Sequence, residues 1–233
     1  MTIFYSPNIL ETCILSEEES FHCAKVLRMK AGEEVLIVDG KGGMLGARII
    51  EPHLKHTAVE IISRQTTETG RTSRIHIAIA PTKNMDRLEW FAEKVTEIGI
   101  DEITPVFCRF SERKNINQER VEKILVSAMK QSQKAYCPKL NPACAVEQLL
   151  KQASESQKFI AHCYEGEKRL LQHLYHKNES ALVMIGPEGD FSPEEVEMAL
   201  QNEFQPVSLG ESRLRTETAG VVACHTLNLL MTL

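Results

Sequence analysis

Two glycine-containing stretches near the C-terminus guide the interpretation of this sequence: residues 185–195 read IGPEGDFSPEE, and residues 208–220 read SLGESRLRTETAG. The first places Gly186 and Gly189 directly after an apolar run. Because glycine has no side chain, backbone amides at these positions are open to a ligand. The SPEE segment that follows predicts a capped helix N-terminus, which favours negatively charged groups. We interpret this stretch as a binding loop.

The second stretch places positive charge just before an apolar helix. Arg213 and Arg215 follow a predicted strand that ends in Leu-Gly. Thr216 or Thr218 is predicted to cap the final helix, with Glu217 in its first turn. A salt-bridged helix cap would explain these residues, and so would a site for an anionic group.

From residue 75 to the C-terminus, predicted strands and helices alternate. The strands are continuously apolar, as expected in a parallel sheet that is covered on both faces. We therefore predict an α/β domain. Its predicted strands are IHIAIA, ITPVFC, KFIAHC, ALVMIG and PVSLG, and its helices lie at about 85–98, 118–135, 145–153 and from 216 onward.

Short apolar runs and turn residues dominate the first 64 residues and predict a small β-barrel. The DGKGG segment at residues 39–43 predicts a tight hairpin, and Ser16 is predicted to cap a short helix. Residues 65–73, QTTETGRTS, have the composition of a linker. We predict two domains, 1–70 and 71–233.

Composition indicates a globular protein that works in a reducing compartment. The seven cysteines form no CxxC pair, and their odd count argues against a disulfide framework. No basic residue precedes Lys25, so we expect no secretory signal and a cytoplasmic location. The charge-free stretch 218–233 is shorter than a membrane span requires, and we predict a buried helix.

The formal net charge of −5 argues against a nucleic-acid partner, but the charge is unevenly distributed. Residues 109–139 are locally basic, which indicates either a phosphate-binding surface or a solvated helix face. The basic residues are Arg109, Arg113, Lys114, Arg120, Lys123, Lys130, Lys134 and Lys139.

The sequence lacks the motifs that are typical of several enzyme classes. The sequence contains no GxGxxG after a strand, no GxxxxGK[ST] and no GxSxG, and we expect no metal site. The adjacent His-Cys pairs at 22–23, 162–163 and 224–225 suggest thiol catalysis at first sight. Neighbouring strand residues point to opposite faces, so we interpret these cysteines as core residues.

The sequence resembles the RsmE family of 16S rRNA uridine methyltransferases, within the SPOUT class of S-adenosylmethionine (SAM) enzymes. The resemblance rests on GPEGDFSPEE and LGESRLRTETAG, with further similarity in FHCAKVLRM, APTKNMDRLEWFAEKVTEIGI and AMKQSQKAYCP. Asp190 departs from the family pattern, which usually has glycine there.

This resemblance implies a PUA-like N-terminal β-barrel at 1–70 that binds RNA and a SPOUT methyltransferase domain at 71–233 with a deep trefoil knot. It also implies a homodimer and SAM as the cofactor. The implied cofactor-binding residues are Ile185, Gly186, Pro187, Gly189, Leu209, Gly210, Ser212, Leu214, Arg215 and Ala219.

The implied reaction is methylation of N3 of a specific uridine in the small-subunit rRNA. We assign Arg215 to stabilisation of the charge on the uracil, and Glu217 either to orienting Arg215 or to accepting the N3 proton. The candidates for RNA binding are Lys25, Arg28, Arg109, Arg113 and Lys134. The implied partner is 16S rRNA within the small ribosomal subunit, and we expect neither a membrane nor a metal as a partner.

Two alternatives remain open from the sequence. A non-catalytic rRNA-binding module of the same fold is favoured by Asp190 and disfavoured by the complete LRTETA segment. A small-molecule enzyme with an anion site is disfavoured by the strand-rich N-terminal domain and the basic central segment.

Overall fold

A computed structural model describes residues 2–66 and 73–232. Its contacts define two compact units, one formed by Met1–Gly70 with Val126–Cys137 and the other by Arg71–Leu125 with Pro138–Leu233. The predicted linker lies largely at 67–72, outside the described residues.

A four-stranded sheet forms the frame of the first unit. Strand β1 pairs in parallel with β2, whereas β2–β3 and β3–β4 are antiparallel. The predicted hairpin turn joins β2 to β3, where Asp39 Oδ1 accepts hydrogen bonds from the amides of Lys41 and Gly43, at 2.7 and 2.8 Å. The strands are β1 (Ile3–Tyr5), β2 (Glu34–Val38), β3 (Gly43–Glu51) and β4 (Ala58–Thr66).

The helical part of this unit begins with α1 (Ile9–Thr12) and α2 (Glu17–Phe21). Ser16 caps α2 as predicted, because its hydroxyl accepts a hydrogen bond from the Glu19 amide. The helix then widens into a π-helical turn over His22–Val26, which the sequence pattern did not indicate.

The second half of helix α4 (Gln118–Gln131) and the residues after it belong to the first unit. Within that unit, Lys130 Nζ lies 2.5 Å from Glu19 Oε1, which also accepts a hydrogen bond from the Tyr5 amide. The Cys137 amide donates to the Gly40 carbonyl at 2.9 Å. Part of the basic segment is therefore built onto the first unit.

The second unit contains a parallel sheet, which confirms the predicted α/β class. The described strands lie in the order β10-β12-β9-β11-β5-β6-β7, and β8 pairs with β6. All residues of the central strands β5 and β11 are buried, as their apolar composition predicted. The strands are β5 (Ile75–Ile79), β6 (Glu102–Phe107), β7 (Lys139–Leu140), β8 (Cys144–Ala145), β9 (Gln157–Ala161), β10 (Arg169–Leu170), β11 (Ala181–Ile185) and β12 (Gln205–Ser208).

Helices α3, α5, α6, α7 and α8 complete this unit. Helix α3 matches the range predicted at 85–98, and the structure shows Asn84 as its N-cap and Gly99 as its C-cap. The long helix α8 packs against α3 and β5. The ranges are α3 (Met85–Ile98), α5 (Val146–Gln152), α6 (Leu171–Leu174), α7 (Pro193–Gln201) and α8 (Thr216–Thr232).

Strand order determines where a site forms in this unit. Strand β9 lies between β12 and β11, and the three strands are parallel. Their carboxyl ends therefore share one edge of the sheet, and the loops that leave them converge there. In the described part of the chain, no helix is both long enough and apolar enough to span a bilayer.

Candidate active site

Three loops enclose a cavity of about 700 Å³ at the carboxyl edge of the sheet. They follow β9, β11 and β12, and the start of α8 closes the cavity. The two stretches that guided the sequence analysis supply two of the three loops.

Nine of the ten predicted cofactor-binding residues line this cavity, and they are Ile185, Gly186, Pro187, Leu209, Gly210, Ser212, Leu214, Arg215 and Ala219. Gly189 lies outside it. A Cβ atom at Gly189 would meet the Cβ of Phe110 at 3.1 Å, so this glycine serves close packing.

The first loop ends in the helix cap that the sequence predicted. The Ser192 hydroxyl accepts a hydrogen bond from the Glu195 amide at 3.3 Å, and the Glu195 carboxylate accepts one from the Ser192 amide at 2.8 Å. Pro193 occupies the first turn of α7. This reciprocal capping box fixes the end of the binding loop.

The predicted threonine cap of α8 is wrong. The helix begins at Thr216 itself, and the first helical hydrogen bond runs from the Ala219 amide to the Arg215 carbonyl. The Thr216 hydroxyl instead donates to the Gly186 carbonyl at 3.0 Å. A hydroxyl that could have capped its own helix thus joins the two binding loops.

The third loop, which follows β9, was missed by the sequence analysis. It contributes Ala161, His162, Cys163 and Lys168 to the cavity. Lys168 Nζ donates hydrogen bonds to the carbonyls of His162 and Tyr164 and so closes the loop on itself. The available signal was the position of these residues, immediately after the apolar KFIA strand of a parallel sheet.

The interpretation of the His-Cys pairs is correct for two of the three. Cys23 and Cys224 are buried, whereas Cys163 is exposed. A core position was wrong for Cys163 because β9 ends at Ala161, so strand alternation no longer applies there.

His162 carries a polar atom whose surroundings indicate a ligand. Its Nδ1 atom is buried, and it has no hydrogen-bond partner among the described residues. Burial, with a contribution from nearby Lys168, lowers the pKa of His162. A neutral imidazole with an unpaired buried nitrogen suits a ligand that supplies a polar partner.

The residues present fit SAM. Gly210 leaves the backbone accessible, because no atom beyond its chain neighbours lies within 4 Å of a Cβ built there, whereas the missing Cβ of Gly186 makes room for Phe191. His162 offers a neutral polar atom to the hydroxyls and amino groups of an adenosine moiety. Leu209, Leu214 and Ile185 provide apolar surface for the ring. This combination of apolar walls and a few polar groups is typical of small-molecule sites.

The two predicted catalytic residues lie in different surroundings. Arg215 is exposed, lines the cavity, and forms no ion pair with any residue that the structure describes. Glu217 is buried outside the cavity lining, and its Oε1 atom lies 3.7 Å from Arg87 Nε. Its Oε2 atom is buried without a partner among the described residues. The observed ion pair of Glu217 is therefore with Arg87 rather than with Arg215.

The predicted RNA-binding residues fall in both units. In the first, Lys25 and Arg28 are exposed on and just after the π-helical turn, and Lys134 is half-buried in the Val126–Cys137 segment. In the second, the Arg109 guanidinium pairs with Glu194 at 3.3 Å, and Arg113 donates to the Lys83 carbonyl. Arg109 and Arg113 thus already have partners in the protein.

Comparison with known proteins defines the class. The family model for an RNA methyltransferase domain matches residues 55–228, and the model for an RNA methyltransferase PUA domain matches residues 15–62. The chain belongs to this family of RNA methyltransferases.

The relatives specify which member it resembles. Ribosomal RNA small subunit methyltransferase E of Rickettsia conorii is 27% identical over 220 residues, covering 93% of this chain and 89% of the relative. The resemblance to the RsmE family is confirmed.

Solved structures agree over the full length. A "probable rRNA-methyltransferase" from Porphyromonas gingivalis has a TM-score of 0.92 at 42% identity and covers 99% of both chains. Ribosomal RNA small subunit methyltransferase E from Neisseria gonorrhoeae, solved bound to S-adenosyl methionine, has a TM-score of 0.87 at 26% identity, covering 99% of this chain and 98% of that one. The α/β class with a PUA-like N-terminal domain is confirmed, and the trefoil knot stays a prediction.

Proposed function

We propose that this protein transfers a methyl group from SAM to N3 of a uridine in 16S rRNA of the small ribosomal subunit. The observation that carries the proposal is the convergence of the two predicted loops on one cavity, with Arg215 exposed at its lining. The cavity offers binding surface for a small cofactor, and Arg215 offers a positive charge to a second substrate.

The cofactor is proposed to lie against Gly186, Gly210 and Leu214, with His162 as a polar contact that the sequence analysis did not include. When bound, SAM supplies an electrophilic methyl group on a positively charged sulfur. The residues of this chain orient the cofactor, and the transfer needs no further metal or redox group.

Arg215 is proposed to stabilise the uracil as negative charge develops on N3 and the ring oxygens. Among the residues that the structure describes, Arg215 has no ion-pair partner, which leaves its exposed guanidinium available for that contact. Glu217, buried beside Arg87, is proposed to hold the start of α8 and with it the backbone of Arg215. Its Oε2 atom has no hydrogen-bond partner in the described part of the chain, and proton acceptance by Glu217 stays an alternative prediction.

The first unit contains the PUA-like domain, and we propose that it binds RNA with Lys25, Arg28 and Lys134 as phosphate contacts. Lys25 and Arg28 are the strongest candidates because both are exposed. Arg109 and Arg113 are weaker ones, since they already bond within the protein.

Methylation at N3 requires that this atom of the target uridine is accessible. N3 of a paired uridine is inaccessible, so the target is unpaired or extruded. With a net charge of −5, the protein is expected to prefer the assembled subunit, where shape complementarity adds to phosphate contacts, over naked RNA. We further propose a homodimer that works in the cytoplasm.

A deletion strain tests this function. We expect mass spectrometry of its 16S rRNA to show the loss of one 3-methyluridine, restored by the wild-type gene but not by the R215A variant. Unchanged rRNA in the deletion strain would contradict the proposal. Comparison of isolated 16S rRNA with assembled subunits as substrates tests the preferred substrate.

A further inference from the structure

Asp190 has an unusual backbone conformation and connects two loops. Its φ angle is +67°, in the left-handed region that glycine adopts most easily. Its Oδ2 atom accepts a hydrogen bond from the Cys163 amide at 2.7 Å, and its Oδ1 atom accepts one from the Phe191 amide at 2.8 Å. A glycine would suit the backbone angle but would make neither bond.

The loop after β9 depends on such side-chain contacts. Strand β9 ends at Ala161, so sheet pairing does not hold His162, Cys163 or Lys168, which line the cavity. The Tyr164 hydroxyl donates to the Phe191 carbonyl at 2.8 Å, which places a second tie next to that of Asp190. Lys168 closes the same loop through carbonyl contacts. We call residues 162–168 the wall segment.

We propose that Asp190 is a positioning residue that fixes the wall segment in its cofactor-binding arrangement. Hydrogen bonds to an ionised carboxylate are stronger than those between neutral groups, so this tie holds the Cys163 backbone firmly. Without it, the wall segment must be ordered when the cofactor binds, and that ordering weakens affinity. The inference rests on the proposed function only in naming SAM as the ligand.

Two variants distinguish the effect of the Asp190 hydrogen bonds from the effect of its backbone angle. D190G accepts the positive φ but removes both hydrogen bonds, whereas D190N keeps the side-chain shape and one acceptor oxygen. E203G is the matched control, because Glu203 also has a positive φ, at +66°, and its side chain is exposed and bonds only to Lys158 among the described residues.

The measurements are SAM affinity by calorimetry and ligand-free amide hydrogen exchange. For D190G we expect SAM affinity about tenfold weaker, as loss of charge-assisted hydrogen bonds implies. Exchange should be faster over residues 162–168 and unchanged in β5. D190N should be intermediate and E203G unchanged. In turnover assays, KM for SAM should rise while kcat and KM for RNA stay near wild type.

Wild-type affinity and wild-type exchange in D190G would overturn the proposal, because the residue would then serve only its backbone angle. Faster exchange throughout β5 would also overturn it, since the effect would be on global stability. If the wild-type protein itself fails to bind SAM, the proposed function falls and the claim on affinity with it. The exchange rates of ligand-free D190G still decide whether Asp190 orders the wall segment.

Discussion

Arg215 and Glu217 are two residues apart in sequence, yet the start of α8 separates their environments. Arg215 precedes the first helical residue and remains exposed in the cavity lining, whereas Glu217 is buried beside Arg87. Within one turn at the start of α8, the positive charge of Arg215 therefore lies at the cavity, and the negative charge of Glu217 lies in the protein interior. The two side chains thus lie in different surroundings, whereas the sequence analysis considered Glu217 either as the residue that orients Arg215 or as the acceptor of the N3 proton.

Replacement of Arg215 by alanine tests its electrostatic role. We expect kcat to fall about a hundredfold, because a donor aimed at developing negative charge contributes on that scale. SAM affinity should remain nearly unchanged, since the loops supply most of the cofactor surface. Calorimetry and single-turnover methylation measure the two quantities, and R215K serves as the control that keeps the charge. Wild-type turnover in R215A would refute the assignment.

A buried polar network at the opposite, amino edge of the parallel sheet gives a pH prediction. His76 Nδ1 lies 2.6 Å from Glu155 Oε1, and His76 Nε2 lies 2.7 Å from the Thr104 hydroxyl. Burial raises the pKa of Glu155, but the hydrogen bond and charge of His76 outweigh it, and the net pKa is lowered from 4.5. A lowered carboxyl pKa stabilises the folded state above the ordinary pKa and loses this contribution as pH falls through the folded value.

For E155Q we therefore expect a loss of about 2 kcal/mol in unfolding free energy at pH 7. The difference from wild type should shrink as the pH falls below the ordinary Glu pKa. Urea unfolding at pH 5, 4 and 3, compared with pH 7, measures it, with E203Q as an exposed control. A difference that grows toward acid pH would contradict the assigned sign.

Among the elements, those with local signals were predictable from sequence. Helix α3 spans the residues predicted for it, 85–98, and the capping box of α7 formed as expected. Capping residues and helix-ending glycines are local signals, because they lie within a few residues of the helix end that they determine. The nine cavity residues were predicted through the resemblance to the RsmE family, whereas the residues by themselves indicated only two glycine-containing loops that follow apolar strands.

The remainder depends on contacts between distant parts of the chain. Nothing near Thr216 indicates that its hydroxyl bonds Gly186, and nothing near Lys130 indicates Glu19 as its partner. The wall segment has no glycine motif, and three side-chain ties order it instead. Such pairings leave no periodic pattern in either partner, so sequence analysis has no means of finding them.

The close packing of helix α8 on helix α3 predicts that a larger side chain at their contact lowers stability. A Cβ atom at Gly220 would lie 2.5 Å from Cε2 of the fully buried Phe91. We expect G220A to destabilise the protein by about 2 kcal/mol, as overpacking of a core does. Thermal unfolding measures the loss, and H225A, at an exposed position of α8, should change stability by less than about 0.5 kcal/mol. Wild-type stability in G220A would contradict this packing.

At the scale of the whole molecule, the apolar residues of α8 divide into two groups. Ala223 and Leu227 are buried within the second unit, whereas Leu229 is 48% exposed. Trp90 on α3, the partner helix of α8, is 43% exposed. Large exposed apolar side chains on adjacent helices are consistent with the proposed homodimer.

We therefore expect the protein to run in light scattering at about twice its chain mass of 26.3 kDa. L229E should shift it toward the monomer, because burying a carboxylate in an apolar interface is unfavourable. L200E, at an exposed position on α7, is the control. A monomeric wild-type protein would refute the dimer.

In the proposed reaction, SAM bound in the cavity methylates one specific atom, N3, of an RNA base. The most direct measurement incubates the purified protein with SAM and small ribosomal subunits from the deletion strain, followed by mass spectrometry of the digested 16S rRNA. We expect one new 3-methyluridine at a single position, formed only when both protein and SAM are present. Methylation at another atom, or no methylation of subunits that the native strain does modify, would contradict it.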